Sequence, residues 1–442
     1  MHASRRTFLG VAGAAATVAL GADRFGASLL SSANATDVPL PSPDASGIEH
    51  VVVVMMENRS FDHLLGWLPG ADGKQAGLSY VDRYGVRHAT HHMTVPNNCG
   101  FYDPDHSYEG GRIQYDGGRC DGFLRSGQND VSAIGYYEQA DLPFLGQAAT
   151  QWTTFDRYFA PTMSSTYPNR FYMHAAMTDR LTNTYDTFAH ATIWDRLKSA
   201  GVSGTYYYSD IPFAALLGTH GPTSMPFLPS DKFTTSFMAD AAAGTLPAVS
   251  FVDPQFVNED QGLSNDDHPH ADLRAGEAFL NKIYDAVRTS PVWDKTVLVI
   301  TFDEWGGFFD HVRPTTAPDV SPKTALRGFR VPTVVISPLA RRGHVGHNVY
   351  DHTSILKMIE WRWGLKPLTP RDKAARNIAE VLDFSNPSTD SPAFQVDETF
   401  VPVACTATSE GTTANSEERR TESAEWPALR RIALSQGWTL PS

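Results

Sequence analysis

Two apolar runs in this chain each end on a pair of oxygen-bearing side chains. Residues 51–56 are four valines and two methionines, and Glu57-Asn58-Arg59-Ser60 follow at once. Residues 296–302 read Thr-Val-Leu-Val-Ile-Thr-Phe, followed by Asp303-Glu304 and then Gly306-Gly307. Unbroken apolar runs of this length fit strands buried on both faces, as in parallel sheets covered by helices. Ligands of open α/β sheets bind beyond the carboxyl ends of the strands. If the two strands are neighbours, Glu57, Asn58, Asp303 and Glu304 meet at that edge. Carboxylates brought together repel and raise one another's pKa, a penalty that a divalent cation removes. Oxygens of Asp, Glu and Asn are ligands of a hard cation: calcium, magnesium or manganese, and zinc accepts carboxylates too. Either acidic end alone would be an ordinary start of a polar loop; the pair points to a metal.

A nucleophile for such a site lies in Ser164-Ser165-Thr166-Tyr167-Pro168-Asn169-Arg170. Proline near the first turn marks a helix start at Pro168. Thr166 then stands where unpaired backbone N–H groups and the helix dipole favour an anion. A threonine hydroxyl is too weak an acid to attack unaided, and metal coordination would activate it. Taken alone the cluster reads as helix caps, with Ser165 the rival hydroxyl.

The elements that must position these groups alternate. Strand candidates are 48–56, 204–208, 248–252, 296–301 and 331–336, and helical spacing marks 192–201, 271–290 and 352–364. This order predicts an α/β fold with a mostly parallel sheet and helices on both faces. Residues 74–146, rich in Gly, Asp, His and Tyr, read as long loops capping the sheet, and loops of that size are usually functional. Residues 406–425 are polar, and a short amphipathic piece follows at 426–438. No internal repeat is evident.

The N-terminus reads as a twin-arginine signal over residues 1–35. Arg5-Arg6 precede a mild apolar run, and Ala33-Asn34-Ala35 offers a small-residue cleavage site. The catalytic domain is expected over residues 36–403 and a polar tail with a short helix over 404–442. Export would make the protein secreted, periplasmic or cell-wall associated. The segment is net positive by two, so cleavage takes the formal charge from −13 to −15. So acidic a chain argues against nucleic acid and against electrostatic docking on anionic lipid. The 3 cysteines make no disulfide framework. In an oxidising compartment Cys99 and Cys120 could pair, leaving Cys405 odd, and the sequence leaves open whether they do.

Taken together, "ENRSFDHLLG", "DGGRCDGF", "STYPNRFY", "NDDHPHAD" and "TFDEWGGFFDHV", in that order, resemble the bacterial phosphoesterase family of non-haemolytic-type phospholipases C and related acid phosphatases. The resemblance covers roughly residues 48 to 365. It implies an alkaline-phosphatase-like three-layer sandwich. It also implies a divalent cation on Glu57, Asn58, Thr166, Asp303 and Glu304, with Thr166 as nucleophile. It makes His106 and His268 active-site histidines, adds His352 to the catalytic set, and assigns Asn58, Asn169 and Arg170 to the substrate. His63 and His311 fall in the same blocks; His63 reads as a loop-orienting residue, and His88, His91 and His92 as a local cluster. The implied reaction is hydrolysis of a phosphatidylcholine-type phosphodiester to diacylglycerol and a phosphoalcohol through a phosphothreonine. Removal of a terminal phosphate from a phosphomonoester is the alternative. A phospholipid or small phosphoester is the expected partner, with transient contact to a membrane surface. A sulfatase is disfavoured, because no Cys-x-Pro-x-Arg sequence is present. Three departures stand out: Trp305 occupies a position where the family commonly has His, His270 competes with His268, and no long C-terminal extension follows the core. Trp305, Phe308 and Phe309 read equally as packing or as the wall of an apolar substrate pocket.

Overall fold

The structure, a computed structural model, describes residues 39–218, 232–405 and 418–441. The signal segment expected at 1–35 and the polar stretch 406–417 lie outside the described residues. Strand β1 (His50–Met56) is buried from Val51 to Met56, as its unbroken apolar sequence demands. The other strands of the main sheet are β2 (Thr153–Phe155), β3 (Gly204–Tyr207), β4 (Val249–Val252), β5 (Thr296–Phe302), β6 (Thr333–Ile336) and β7 (His344–Gly346). Their order is β7-β2-β6-β5-β1-β4-β3. Only β6 runs antiparallel to its neighbours, so the sheet is mixed but mostly parallel. All seven residues of β5 are buried, so both faces of the sheet are covered.

The five expected strands are β1, β3, β4, β5 and β6. Strands β2 and β7 escape sequence reading: three residues each are too few to show a period. Five helices frame the site and the C-terminal segment: α1 (Phe61–Leu65), α2 (Thr166–Ala175), α3 (Leu273–Arg288), α4 (His352–Trp363) and α5 (Glu418–Ser435). Helix α3 turns Leu273, Leu280, Ile283 and Val287 into the core, worth roughly 1.5–3 kcal/mol for each side chain fully buried. Helix α4 stops at Gly364, whose φ of 64° suits a residue without Cβ. Residues 74–146 carry only short elements, among them the pairs Ser79–Val81 with Arg87–Ala89 and His91–His92 with Gly135–Tyr136.

The cysteine pairing differs from the Cys99–Cys120 candidate. Cys99 bonds Cys405, with Cα atoms 5.4 Å apart and a sequence separation of 306. Cys120 is free and buried in an apolar cluster with Phe123, Ile134 and Phe329, where burial pushes its thiol up to about 12. The bond clasps the C-terminal segment onto the loop around Cys99, and Cys405 N–H donates to the Gln261 carbonyl, in the loop before α3, at 2.9 Å. Further along, the Trp426 indole on α5 stacks on Phe256 at 5.0 Å and donates Nε1–H to Glu259 Oε1 at 2.9 Å. No helix among the described residues is long and apolar enough to cross a membrane.

Peptide mapping without reductant should recover Cys99 joined to Cys405, with Cys120 alkylated only after unfolding. Cys405→Ser should lower unfolding free energy by about 2–4 kcal/mol in denaturant titrations. Recovery of Cys120 in a disulfide would refute this pairing.

Candidate active site

Parallel pairing of β1 with β5, in the register Met56↔Phe302, sets their acidic ends side by side. The chains stay bonded past the strands. Asp303 N–H donates to the Met56 carbonyl at 3.0 Å, Asn58 N–H to Asp303 Oδ1 at 3.0 Å, and Arg59 N–H to the Glu304 carbonyl at 3.1 Å. Asn58 takes a left-handed backbone, φ 58°, which Asn tolerates better than most residues. The bend is possible because Gly306 has no side chain: a Cβ there would run into the Asn58 carbonyl oxygen.

Thr166 opens α2 and faces this edge. Its hydroxyl donates to Glu57 Oε2 at 3.1 Å and lies 3.4 Å from Asn58 Oδ1. Ser165 is turned elsewhere, its hydroxyl on Asn183 Oδ1 at 3.1 Å. One turn along α2, Arg170 reaches under the carboxylates. It donates to Glu57 Oε1 from Nε at 2.9 Å and from Nη2 at 2.5 Å, to Asp253 Oδ1 at 3.1 Å and to the Met55 carbonyl at 3.2 Å. Asn169 ties the preceding loop, accepting from Thr162 N–H and donating to the carbonyls of Ser164 and Ser165. Both residues, expected on the substrate, make these bonds at the start of α2.

Glu57, Asp303 and Glu304 are all at most 2 % exposed, so their charges are not relieved by water. Burial raises Glu57 well above the ordinary range; Arg170 opposes this, and Asp303 and Asp266 add to it. Burial likewise raises Glu304. The Asn58 amide presents one end to Glu57 Oε2 at 3.1 Å and Glu304 Oε1 at 2.6 Å, and the other to His268 Nε2 at 3.3 Å. With nitrogen at the first end it donates to both carboxylates. With oxygen there, three oxygens face one another, an arrangement that a cation stabilises. Asp303 Oδ2, buried beside them, has no hydrogen-bond partner. An all-oxygen donor set with surplus negative charge fits a divalent cation held by Glu57, Asn58, Thr166, Asp303 and Glu304.

The histidines divide. His268 is 4 % exposed and points Nε2 at Asn58 and, at 3.5 Å, at Asp103; burial and the charges of His270, His106 and Arg59 hold it neutral in the free protein. His106 lies near it and near Glu304. Its Nδ1 is 2.8 Å from the Pro104 carbonyl, so that nitrogen carries the proton and Nε2 is the basic one. His352 stands behind the site, donating Nε2–H to the Asp303 carbonyl at 2.8 Å, and burial lowers it to about 4. His270 contacts the Phe101 carbonyl at 3.2 Å. His311 belongs to a separate network with Asp62, Asp72 and Arg330. His88 and His92 pair with Asp82 and Asp141 away from the site.

Donor atoms of Asp260, His268 and His270, and of Asp62, Asp310 and His311, cluster closely enough to hold a metal. In the second group Arg330 already supplies the positive charge. Trp305, Phe308 and Phe309 are fully buried, and Trp305 donates Nε1–H to Gln114 Oε1 at 2.7 Å. Packing, and not a substrate wall, is their place. Sequence reading misses Asp253, although it ends β4, next to β1, as Glu57 ends β1.

A model of the Phosphoesterase family matches residues 48–366. The chain is 31% identical over 395 residues to Non-specific phospholipase C1 of Arabidopsis thaliana, covering 78% of this chain and 73% of that one. It is 31% identical over 417 residues to Phospholipase C B of Mycobacterium tuberculosis, covering 77% and 78%. Solved structures that resemble it include a protein in the alkaline phosphatase superfamily from Vibrio parahaemolyticus, at 10% identity, TM-score 0.38 and 89% coverage of each chain. A phosphonate monoester hydrolase of Agrobacterium radiobacter superposes with 10% identity and TM-score 0.36 over 75% of this chain and 77% of its own.

Because Gly306 gives way to the Asn58 carbonyl, Gly306→Ala should push Asn58 out of the carboxylate cluster. Calorimetric titration with calcium and with manganese should show at least a tenfold loss of affinity, and the forced backbone should cost about 1–3 kcal/mol of stability. Wild-type affinity in a folded Gly306→Ala protein would show that Asn58 is not a ligand.

Proposed function

The chain belongs to the Phosphoesterase family, and from that premise we propose that it is a metal-dependent phospholipase C acting through a phosphothreonine on Thr166. The observation that carries this reading is the hydroxyl of Thr166, at the head of a helix and hydrogen-bonded to a carboxylate at the acidic sheet edge. When bound, the divalent cation supplies Lewis-acid charge against the phosphoryl oxygens and lowers the pKa of a hydroxyl beside it.

The chain's own residues do the rest. Donation to Glu57 Oε2 orients the Thr166 hydroxyl, and its proton leaves toward that carboxylate as the oxygen attacks phosphorus. The helix N-terminus and the Asn58 amide face the phosphoryl oxygens, where negative charge grows. Arg170 holds Glu57 and Asp253 in register below. His268 Nε2 gives a proton to the departing glycerol oxygen, and the P–O bond to diacylglycerol breaks. A bound phosphoryl anion favours the protonated imidazole that burial alone disfavours. Water then attacks the phosphothreonine and His268 takes up its proton; the P–O bond to Thr166 breaks, Glu57 returns the proton to the Thr166 oxygen, and the phosphoalcohol leaves. Arrangement of charge and position of this kind accounts for most phosphoryl-transfer catalysis.

Phosphomonoester hydrolysis is the second reading, favoured by the packing of Trp305, Phe308 and Phe309, which removes them as a wall for acyl chains. For location we propose export by the twin-arginine route. The Cys99–Cys405 bond supports an oxidising destination.

Phosphatidylcholine should yield diacylglycerol and phosphocholine; turnover of phosphomonoesters alone would favour the second reading. Asp303→Asn and Glu57→Gln should each lose at least 100-fold in kcat while staying folded. Thr166→Ser should remain active, whereas Thr166→Val should be inactive yet still bind metal. Acid quench and mass spectrometry should place phosphate on Thr166, and inversion at a chiral phosphorus would eliminate the covalent route.

A further inference from the structure

Arg59 comes directly after the two acidic-edge residues Glu57 and Asn58, yet it does no work at the cation. It is fully buried and points the other way. Nε–H donates to the Asp267 carbonyl at 2.6 Å, and Nη2–H to the carbonyls of His268 at 3.2 Å and Pro269 at 3.3 Å. One guanidinium thus grips three consecutive carbonyls on the loop that carries His268. Its remaining bond, from Nη1 at 2.9 Å, goes to His63 Nε2. His63 Nδ1 faces the Gly135 carbonyl at 2.8 Å, which can only accept, so Nδ1 carries the proton and Nε2 accepts from Arg59. The guanidinium also lies 5.0 Å over the Phe308 ring, and His63 stacks on that ring at 3.8 Å.

These partners separate two roles for a buried arginine. An arginine placed to cancel charge pairs with carboxylates, for which its fork is shaped. Asp103, Asp266 and Asp267 all lie near enough to act on Arg59 electrostatically. None of its hydrogen bonds goes to their carboxylates; all go to backbone carbonyls and one imidazole. The loop needs such a hold, because Asp267 has φ 73°, an unfavourable conformation for a residue with a side chain. The loop is also fixed by Glu57 N–H to the Asp266 carbonyl at 2.7 Å, Asn98 N–H to the Pro269 carbonyl at 3.0 Å, Ala271 N–H to the His268 carbonyl at 2.7 Å, and one side-chain bond, His268 N–H to Asp266 Oδ1 at 3.0 Å.

We propose that Arg59 is a positioning residue that, seated on His63, fixes the backbone of residues 267–269 so that His268 Nε2 is aimed at the leaving oxygen. The proposal rests on the reading of His268 as proton donor. A donor matters only when the leaving oxygen is basic. The diacylglycerol alkoxide of phosphatidylcholine needs a proton; the p-nitrophenolate of p-nitrophenyl phosphorylcholine does not.

The test compares these two substrates on full-length wild-type, Arg59→Lys, His63→Phe and His268→Gln proteins, with metal content and circular dichroism recorded for each. Arg59→Lys keeps the charge and loses the fork. It should lose about 100-fold in kcat/KM, which reads only the steps up to departure of the alcohol, on phosphatidylcholine, within the range a general acid contributes. On p-nitrophenyl phosphorylcholine it should change less than about threefold, with metal content unaltered. His268→Gln should show the same selectivity. His63→Phe keeps the ring on Phe308, removes the acceptor, and should show a smaller loss of the same kind; it carries the test if Arg59→Lys does not fold. Equal losses on both substrates, or no loss on the lipid, in a folded Arg59→Lys or His63→Phe protein overturn the proposal while His268→Gln still discriminates. A His268→Gln enzyme that treats the two substrates alike removes the donor role and the proposal with it.

Discussion

Like charges buried side by side are the constraint on which this structure turns. The register of β1 and β5 leaves Glu57, Asp303 and Glu304 no route apart, and β4 adds Asp253 from the next strand. Arg170 supplies one positive charge among them and shares it between Glu57 and Asp253. A single guanidinium does not neutralise four carboxylates away from water, and surplus negative charge is left at the edge. Helix α2 is bound to the same accounting of charge: it brings Arg170 and Thr166 together, one turn apart. A residue that steadies the acidic cluster and a hydroxyl that hydrogen-bonds to it thus travel on the same rigid element.

Much of this is legible because the chemistry sits where uninterrupted apolar sequence stops. Strands β1 and β5 announce themselves by composition, and the acidic pairs come immediately after them in the chain. Thr166 is legible for a similar local reason, a proline-marked helix start. Asp253 carries the same signal at the end of β4, but a single acid before a proline resembles any turn. Strands β2 and β7 hide because pairing with β6 and with each other, not their own pattern, makes them strands.

The illegible part depends on contacts across hundreds of residues. The grip of Arg59 on residues 267–269 spans more than 200 positions. Cys99 and Cys120 look like natural partners because they are near in sequence. Yet Cys120 sinks into an apolar cluster while Cys405 returns from the far end of the domain. Trp305, Phe308 and Phe309 are equally undecidable from sequence, since an aromatic beside a metal site looks the same whether it lines a cavity or fills one. Here they fill it, and Phe308 serves as the floor under Arg59 and His63.

The Cys99–Cys405 bond also sets an order of events during biogenesis. Cys99 sits between Asn98 and Phe101, whose backbones contact Pro269 and His270. The clasp on this loop therefore waits for residue 405 to leave the ribosome, long after both acidic strand ends have been made. An incomplete chain cannot close it, and neither can a complete one still held under reducing conditions. Oxidative closure thus places the covalent fastening of the Cys99 loop after synthesis has passed every residue of the acidic edge.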